Sequence, residues 1–277
     1  MALTIDKNHL LQGENVVHLI TSKNNTEFAN GNPDTLIIHY TAGSDAESSA
    51  KYLQKPEIKA SAHLVIGRNG ELFQIVPFNK IAWHAGASSY GGRSGFNNLS
   101  IGIELDNAGI LTKTGNEYAS WFGKKYMQSE VMEATHRNER QPKFWHIYTE
   151  KQLLVNEEIA QLLISHYASI VNILGHEEIS PGRKQDPGPA FPLDRLRRRL
   201  LGDNRDDQMA GAEVLPSAGV VVPDKLNIRE GAGSTFDKVA KPLLSGQPVQ
   251  ILAEENGWYK VKTEIEGWVS KGFIETK

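Results

Sequence analysis

The sequence contains no cysteine. Disulfide bonds, thiolate metal sites and a cysteine nucleophile are therefore excluded. A chain without thiols suits an oxidising compartment but does not require one. Any metal ligands have to come from other side chains.

Long apolar runs and a basic excess are also missing. No run of about 18 apolar residues occurs, so we expect no transmembrane helix. The formal net charge is −3 and the pI is about 6.3, which gives no support for nucleic-acid binding. The N-terminus lacks the basic start and apolar core of a signal peptide, so we expect that the protein acts inside the cell, leaves it by another route, or has lost a leading segment from this sequence.

Strand and helix signals alternate over the first part of the chain, which predicts an α/β fold. The apolar run at 36–40, LIIHY, is typical of a strand buried on both faces. An Asn-Gly pair at 69–70 lies between two apolar runs and predicts a β-hairpin. Residues 99–105 alternate, which places Ser100, Gly102 and Glu104 on one face of a strand.

Two longer segments follow. Residues 112–149 are polar with scattered aromatics, and we expect mainly loop with some helix there. An apolar stripe over 150–174 predicts one long amphipathic helix with Gly175 at its C-cap. A loop rich in Pro and Gly comes next and leads into a last helix, LDRLRRRLL.

The composition changes near residue 203, which predicts a division into domains. Small and acidic residues over 204–218 indicate a linker between a domain at 1–203 and a second one at 219–277. The second domain has short strands at regular spacing with turn residues between them. This pattern predicts a small all-β barrel.

Three side chains are candidates for a metal site. His39 ends the buried strand, and ligand sites in α/β sheets collect at the carboxyl ends of strands. The alternative for His39 is a hydrogen-bonded core histidine. His176 opens the Pro/Gly loop and Asp186 follows ten residues later, so the loop can bring both together. Two histidines and one carboxylate leave the fourth position of a zinc ion to water, although this set also admits other divalent ions.

Four motifs together resemble the type 2 N-acetylmuramoyl-L-alanine amidases, which are related to the peptidoglycan recognition proteins. The motifs, within about 35–201, are IIHYTA, WHAGASSYGGRSGFNN, LSIGIELDN and GHEEISPGRKQDPGPAF. The match is closest to the branch with Asp as third ligand. The resemblance implies zinc bound by His39, His176 and Asp186, and a mixed central sheet flanked by helices. It also implies hydrolysis of the amide between the lactyl group of N-acetylmuramic acid and L-alanine of the stem peptide.

The resemblance also implies two catalytic side chains. Glu104 matches the segment that carries the general base, and without the resemblance it reads as a carboxylate on an exposed sheet face. Lys184 matches the loop lysine that stabilises the oxyanion, and otherwise reads as a solvated cation. Some members carry a Tyr at the position of Ala62, so here more of the chemistry falls on Glu104.

Substrate contacts are implied for five further residues in the cleft-forming segments. They are His63, His84, Arg93, Asn97 and Asn98.

The second domain resembles a bacterial SH3-like domain. The segments that carry the resemblance are LNIREGAG, GQPVQILAEENGWYKVK and EGWVSKGFI. Its aromatics Trp258, Tyr259, Trp268 and Phe273 either fill the small core or bind wall polymer. Such a domain tethers an enzyme and raises the local substrate concentration.

Two alternatives to the amidase remain open. One is a receptor on the same fold that binds peptidoglycan without cleaving it, and the other is a zinc peptidase that cuts within the stem peptide. In each case the expected partner is peptidoglycan or muropeptides, in the periplasm or outside the cell. The sequence does not distinguish intact sacculi from soluble fragments, and it leaves the oligomeric state open.

Overall fold

The computed structural model describes residues 3–24, 26–29, 32–202, 218–231, 236–255 and 258–263. The chain divides into two compact units, Met1–Gln208 and Met209–Lys277. The sequence-based domain limits stay a prediction, because the predicted linker 204–218 lies outside the described residues except for Ala218. No described helix is long and apolar enough to span a membrane.

The first unit is built from short strands and a few helices. Its strands are β1 (Thr4–Ile5), β2 (Leu11–Gln12), β3 (Val16–His18), β4 (Thr35–Tyr40), β5 (Leu64–Ile66), β6 (Leu72–Gln74), β7 (Ser89–Tyr90), β8 (Arg93–Ser94), β9 (Ser100–Leu105), β10 (Ile110–Thr114), β11 (Glu117–Ala119), β12 (Lys125–Tyr126), β13 (Val131–Thr135), β14 (Pro142–His146) and β15 (Asn172–Gly175). Its α-helices are α1 (Ala46–Gln54), α2 (Glu150–His166), α3 (His176–Ile179) and α4 (Leu193–Leu201), and 3₁₀ turns occur at Phe96–Asn98 and Gln128–Glu130.

A mixed sheet of six strands forms the centre of this unit, in the order β15-β4-β9-β5-β6-β3. The strands β15, β4, β9 and β5 are parallel neighbours, and β5 and β6 form an antiparallel pair. The turn between β5 and β6 contains Gly70 at φ +88°, so the predicted hairpin is confirmed. The carboxyl ends of the parallel strands therefore meet at one edge.

The two faces of the central sheet are covered by different elements. Leu36 and Ile38 of β4 pack in the large core that α2 and α4 share with the sheet. Ile37 points to the opposite face, where Val65 of β5 contacts α1 through Ala50. The predicted α/β architecture with helices on both faces is confirmed, and His39 shares the face of Ile37 because side chains alternate along a strand.

The long helix predicted for 150–174 is wrong over its last third, residues 167–174. α2 ends at His166, where the Tyr167 N–H donates to the carbonyl of Leu163 at 2.8 Å. Residues 172–175 instead form β15, whose register with β4 pairs Leu174 with Ile37. Ile170 and Leu174 continue the apolar stripe of α2, but Ile170 is buried in the connection after the helix and Leu174 in β15.

The segment predicted as mainly loop is also different. Residues 110–146 fold into a sheet of five short antiparallel strands, in the order β12-β11-β10-β14-β13. A small core of its own includes Leu111, Tyr118 and Tyr126. We refer to residues 110–146 as the inserted sheet.

The second unit contains only strands among its described residues. They are β16 (Ala218–Val220), β17 (Lys225–Leu226), β18 (Leu243–Leu244), β19 (Pro248–Glu255) and β20 (Trp258–Lys262). β16, β19 and β20 form one antiparallel sheet, and β17 pairs with β18. Val221, Leu243 and Ile251 are buried between them. Trp268 and Phe273 lie outside the described residues.

Candidate metal centre and active site

His39, His176 and Asp186 meet at the carboxyl edge of the central sheet. His39 is the fifth residue of β4, and His176 follows β15 directly as the first residue of α3. The register of β15 with β4 pairs Gly175 with Ile38, which sets His176 beside His39. The loop after α3 brings Asp186 back to the same place, and its carbonyl accepts a hydrogen bond from the Glu177 N–H at 2.8 Å.

The three side chains form a triangle of donor atoms. The Nδ1 atoms of His39 and His176 are 2.9 Å apart, and each is 2.9 Å from Asp186 Oδ2. Hydrogen bonds cannot satisfy all three edges, because each edge needs a proton of its own and a ring nitrogen that donates a proton cannot also accept one. Ligands of one tetrahedral zinc ion lie about 3.3 Å apart, given bond lengths of about 2.0–2.2 Å. The donor set and its spacing therefore fit a divalent cation.

Burial sets the protonation of this group. Desolvation, and then the charge of His176, lower the pKa of His39 to about 4, so its ring is neutral near pH 7. Burial favours the neutral form of the Asp186 carboxyl, yet hydrogen bonds from His176 and His39 hold its pKa below the usual range. Neutral imidazoles and an ionised carboxylate are the forms that bind a metal.

Glu104 lies on β9, directly across from His39 in the strand register. Its Oε2 atom is buried and has no hydrogen-bond partner among the described residues. Burial raises the pKa of Glu104 well above its usual value, the charge of Asp186 adds to this, and the charge of Lys184 opposes it. A carboxyl group with one free oxygen and a raised pKa is suited to accept and release a proton.

Lys184 lies two residues before Asp186 in the same loop and is partly exposed. Its backbone N–H donates to the Ser180 carbonyl at 3.0 Å. Its charge acts on both His39 and Glu104, which places the ammonium group near the triangle of donor atoms. The position fits the oxyanion role predicted from the sequence.

His63 occupies the core rather than a groove. It is fully buried, its Nε2 lies 2.8 Å from the Lys80 carbonyl, and its Nδ1 accepts from the Gly102 N–H at 3.0 Å. These partners place the ring proton on Nε2. The placement favours a structural role over the predicted substrate contact.

His84 and Asn97 also face inward. His84 Nδ1 is 2.9 Å from His39 Nε2, and burial lowers the pKa of His84 well below its usual value. Asn97 Oδ1 accepts from the N–H groups of His84 and Ala85 at 3.0 and 2.7 Å. Both side chains are thus engaged within the protein.

Arg93 and Asn98 lie at the surface. The Arg93 guanidinium pairs with Asp34 at 2.5 Å and lies over the ring of Phe96 at 5.7 Å. Asn98 is exposed and ends a 3₁₀ turn, where its N–H donates to the Gly95 carbonyl at 3.0 Å. Substrate contact by these two residues stays a prediction.

A buried ion-pair network behind His176 was missed from the sequence. Glu177 Oε2 lies 2.7 Å from His136 Nε2 of the inserted sheet and accepts from the Gly188 N–H at 3.1 Å. Asn138 Nδ2 donates to the Glu177 carbonyl at 2.9 Å. The inserted sheet therefore holds Glu177 at the start of this loop, and Glu177 in turn binds Gly188 just after Asp186. The one sign of this network in the sequence is the motif HEE, in which a carboxylate directly follows a candidate ligand.

Comparison with known proteins gives the family. Residues 29–189 match the family described as N-acetylmuramoyl-L-alanine amidase. The chain belongs to this family. Residues 224–275 match the bacterial SH3 domain, so the predicted second domain is also identified.

Individual relatives agree with this assignment. The 1,6-anhydro-N-acetylmuramyl-L-alanine amidase AmpD of Salmonella typhimurium is 34% identical over 159 residues, which cover 57% of this chain and 66% of that protein. The N-acetylmuramoyl-L-alanine amidase AmiD of Escherichia coli is 32% identical over 181 residues, which cover 62% of this chain and 55% of AmiD. Each match spans less than two thirds of the relative. A solved complex of E. coli AmiD with anhydro-N-acetylmuramic acid-L-Ala-D-γ-Glu-L-Lys is 30% identical, covers 60% of this chain and 56% of that one, and has a TM-score of 0.45.

Proposed function

We propose that the first unit is a zinc-dependent N-acetylmuramoyl-L-alanine amidase. It hydrolyses the amide between the lactyl group of N-acetylmuramic acid and L-alanine of the stem peptide. The observation that carries this is the triangle of His39 Nδ1, His176 Nδ1 and Asp186 Oδ2, each 2.9 Å from the next, with Glu104 on the adjacent strand. Family membership and the relatives AmpD and AmiD supply the substrate class.

His39, His176 and Asp186 would hold the zinc ion. Once bound, zinc lowers the pKa of a water molecule toward about 7 and polarises a carbonyl oxygen. Glu104 accepts the proton of the attacking water at its free Oε2 and delivers it to the leaving amine of L-alanine. Burial raises the pKa of Glu104, which makes its carboxylate a stronger proton acceptor.

Lys184 contributes positive charge where the oxyanion develops. Its charge lowers the pKa of both Glu104 and His39, although no ion pair joins Lys184 to Glu104 among the described residues. A cation placed in advance stabilises the transition state without reorganising during the reaction.

The second unit, in this proposal, tethers the enzyme to wall polymer. Trp258 and Tyr259 are adjacent on β20, and Tyr259 is 41% exposed. Exposed aromatic rings are suited to bind sugar or peptide surfaces, and tethering raises the effective substrate concentration.

Digestion of purified sacculi and of soluble anhydro-muropeptides tests the proposal, with product identification by mass spectrometry. We expect intact stem peptides with free L-alanine amino termini, loss of product after chelation and recovery on adding zinc. Cleavage within the stem peptide would support the peptidase instead. Binding without any product, with zinc supplied, would support the receptor.

A further inference from the structure

Both histidines of the metal triangle have an outer ring nitrogen that points away from Asp186. His39 Nε2 lies 2.9 Å from Nδ1 of His84. His176 Nε2 lies 3.1 Å from the carbonyl oxygen of Ala85. Two consecutive residues thus receive the outer nitrogens of two ligands that are 137 positions apart in the chain.

The proton positions along these contacts follow from the chemistry of the ring. A His39 whose Nδ1 binds a cation carries its proton on Nε2, so Nε2 donates to His84 Nδ1. His84 is then protonated at Nε2, which faces the Ser100 carbonyl at 3.3 Å. The Ala85 carbonyl can only accept, so the same logic puts the His176 proton on Nε2. Both contacts therefore leave Nδ1 free for the metal.

Other contacts fix the segment that makes these bonds. Asn97 Oδ1 accepts from both the His84 and the Ala85 N–H groups, at 3.0 and 2.7 Å. The ring of His84 lies against Gly102, where an added Cβ would come 2.4 Å from His84 Cγ. Arg183 Nη2 donates to the Ala85 carbonyl at 2.7 Å, using its second acceptor position. The segment is held at its side chain and at its backbone.

We propose that His84 and Asn97 are positioning residues for the metal site. His84 Nδ1 accepts a hydrogen bond from the Nε2–H of His39, and Asn97 holds the His84–Ala85 segment so that both ligand histidines present Nδ1 to one ion. This inference rests on the proposed function, because it takes the ion to be the metal of the amidase. It gives both residues a role other than the substrate contact predicted from the sequence.

A matched pair of variants tests the role of His84. Leu and Asn have the same branching. The carboxamide oxygen of Asn, however, can occupy the position of His84 Nδ1 and accept the hydrogen bond from His39. We expect His84→Leu to weaken zinc binding about 10- to 100-fold, the usual effect of losing an outer partner. His84→Asn should stay within about fivefold of the parent protein by the same reasoning. The measurement is zinc affinity by competition with a chromophoric chelator, with urea unfolding of each metal-free variant to compare folding.

The outcomes separate this inference from the proposed function. Parent-like zinc affinity in His84→Leu, or equal losses in the two variants, would overturn the positioning role while the amidase proposal stands. A parent protein that binds no zinc would overturn both.

Two further measurements do not depend on how well the His84 variants fold. Nitrogen-15 spectra of the zinc-loaded parent protein, labelled at histidine, should show His84 protonated at Nε2 and bare at Nδ1. A proton on His84 Nδ1 would overturn the inference. Asn97→Asp keeps an acceptor for the two N–H groups and Asn97→Leu removes it, so only the Leu variant should lose zinc affinity. Equal affinities in the Asp and Leu variants would remove Asn97 from the proposal.

Discussion

The carboxyl edge of the central sheet and the inserted sheet both bury histidine beside glutamate, yet they differ in how those groups are paired. In the inserted sheet His136 bonds to Glu177, which also accepts from Gly188. At the carboxyl edge the donor atoms of His39, His176 and Asp186 face one another without enough protons to pair. Glu104 adds a buried oxygen without a partner among the described residues. The satisfied pair contributes to the stability of the fold, whereas a cluster of unpaired atoms that can bind a metal is suited to a ligand.

The largest expected effect is on Glu104. Glu104→Gln removes the proton acceptor and keeps the shape, so kcat should fall about 10²- to 10⁴-fold. Zinc content should stay unchanged. The free energy of unfolding should stay unchanged or rise, because a buried carboxyl without a partner is removed. Turnover of muropeptides, zinc analysis and urea unfolding measure the three. A variant that keeps parent-like turnover would exclude Glu104 as the base.

In contrast to Glu104, His136 should contribute to the stability of the protein. His136→Ala removes the ring that faces Glu177 Oε2 and leaves this buried carboxyl with the Gly188 N–H and Arg137, so we expect a loss of about 1–3 kcal/mol in the free energy of unfolding. Chemical denaturation measures it. Lys125→Met provides the control in the same sheet, since the pair of Lys125 with Glu117 is exposed and should contribute little. If the two variants were equally stable, the ion pair behind His176 would not be a stabilising element.

His146 of the inserted sheet should make the stability of the protein depend on pH. Burial, and then the charges of Arg68 and Lys124, lower its pKa to about 2. Below about pH 6.5 the His146 ring becomes protonated in the unfolded chain, whereas it stays neutral in the folded protein. The stability that the neutral His146 ring contributes is therefore fully present above pH 6.5 and is lost as the pH falls from there toward 2.

His146→Asn isolates this contribution. Asn does not titrate, and its oxygen can still accept the Ala108 N–H that His146 Nδ1 accepts at 3.1 Å. Between pH 6 and 4 the unfolding free energy of the variant should fall less steeply than that of the parent, by up to about 1.4 kcal/mol per pH unit. Urea titrations across this range give both slopes. Parallel slopes would mean that His146 takes up its proton equally in both states.

The smallest effect is expected at Arg93. Its guanidinium is occupied by Asp34 and Phe96 and is partly exposed, so Arg93→Ala should cost less than about 1 kcal/mol of stability. KM for muropeptides should change little. A rise of tenfold or more in KM at constant kcat would instead support the substrate contact predicted from the sequence.

The sequence predicted the carboxyl edge better than the inserted sheet. His39, His176 and Asp186 lie in motifs with a family resemblance, and parallel strands bring their ends together whatever the details of packing. Strands β10 and β13 of the inserted sheet contain one buried residue between them, so the alternation of apolar and polar residues is weak.

Two other differences between the predictions and the structure have physical causes as well. Ile170 and Leu174 continue a helical stripe by chance of spacing, and a short apolar run does not distinguish a buried strand from a helix. His63, His84 and Asn97 were placed in the correct segments, but the direction of each side chain depends on partners such as Lys80 and Gly102, which only the tertiary structure supplies.

Anomalous diffraction at the zinc absorption edge, from crystals of the full chain grown with zinc, tests the central claim most directly. We expect one strong peak within bonding distance of His39 Nδ1, His176 Nδ1 and Asp186 Oδ2. A map with no peak there, or with zinc held by other residues, would contradict the account.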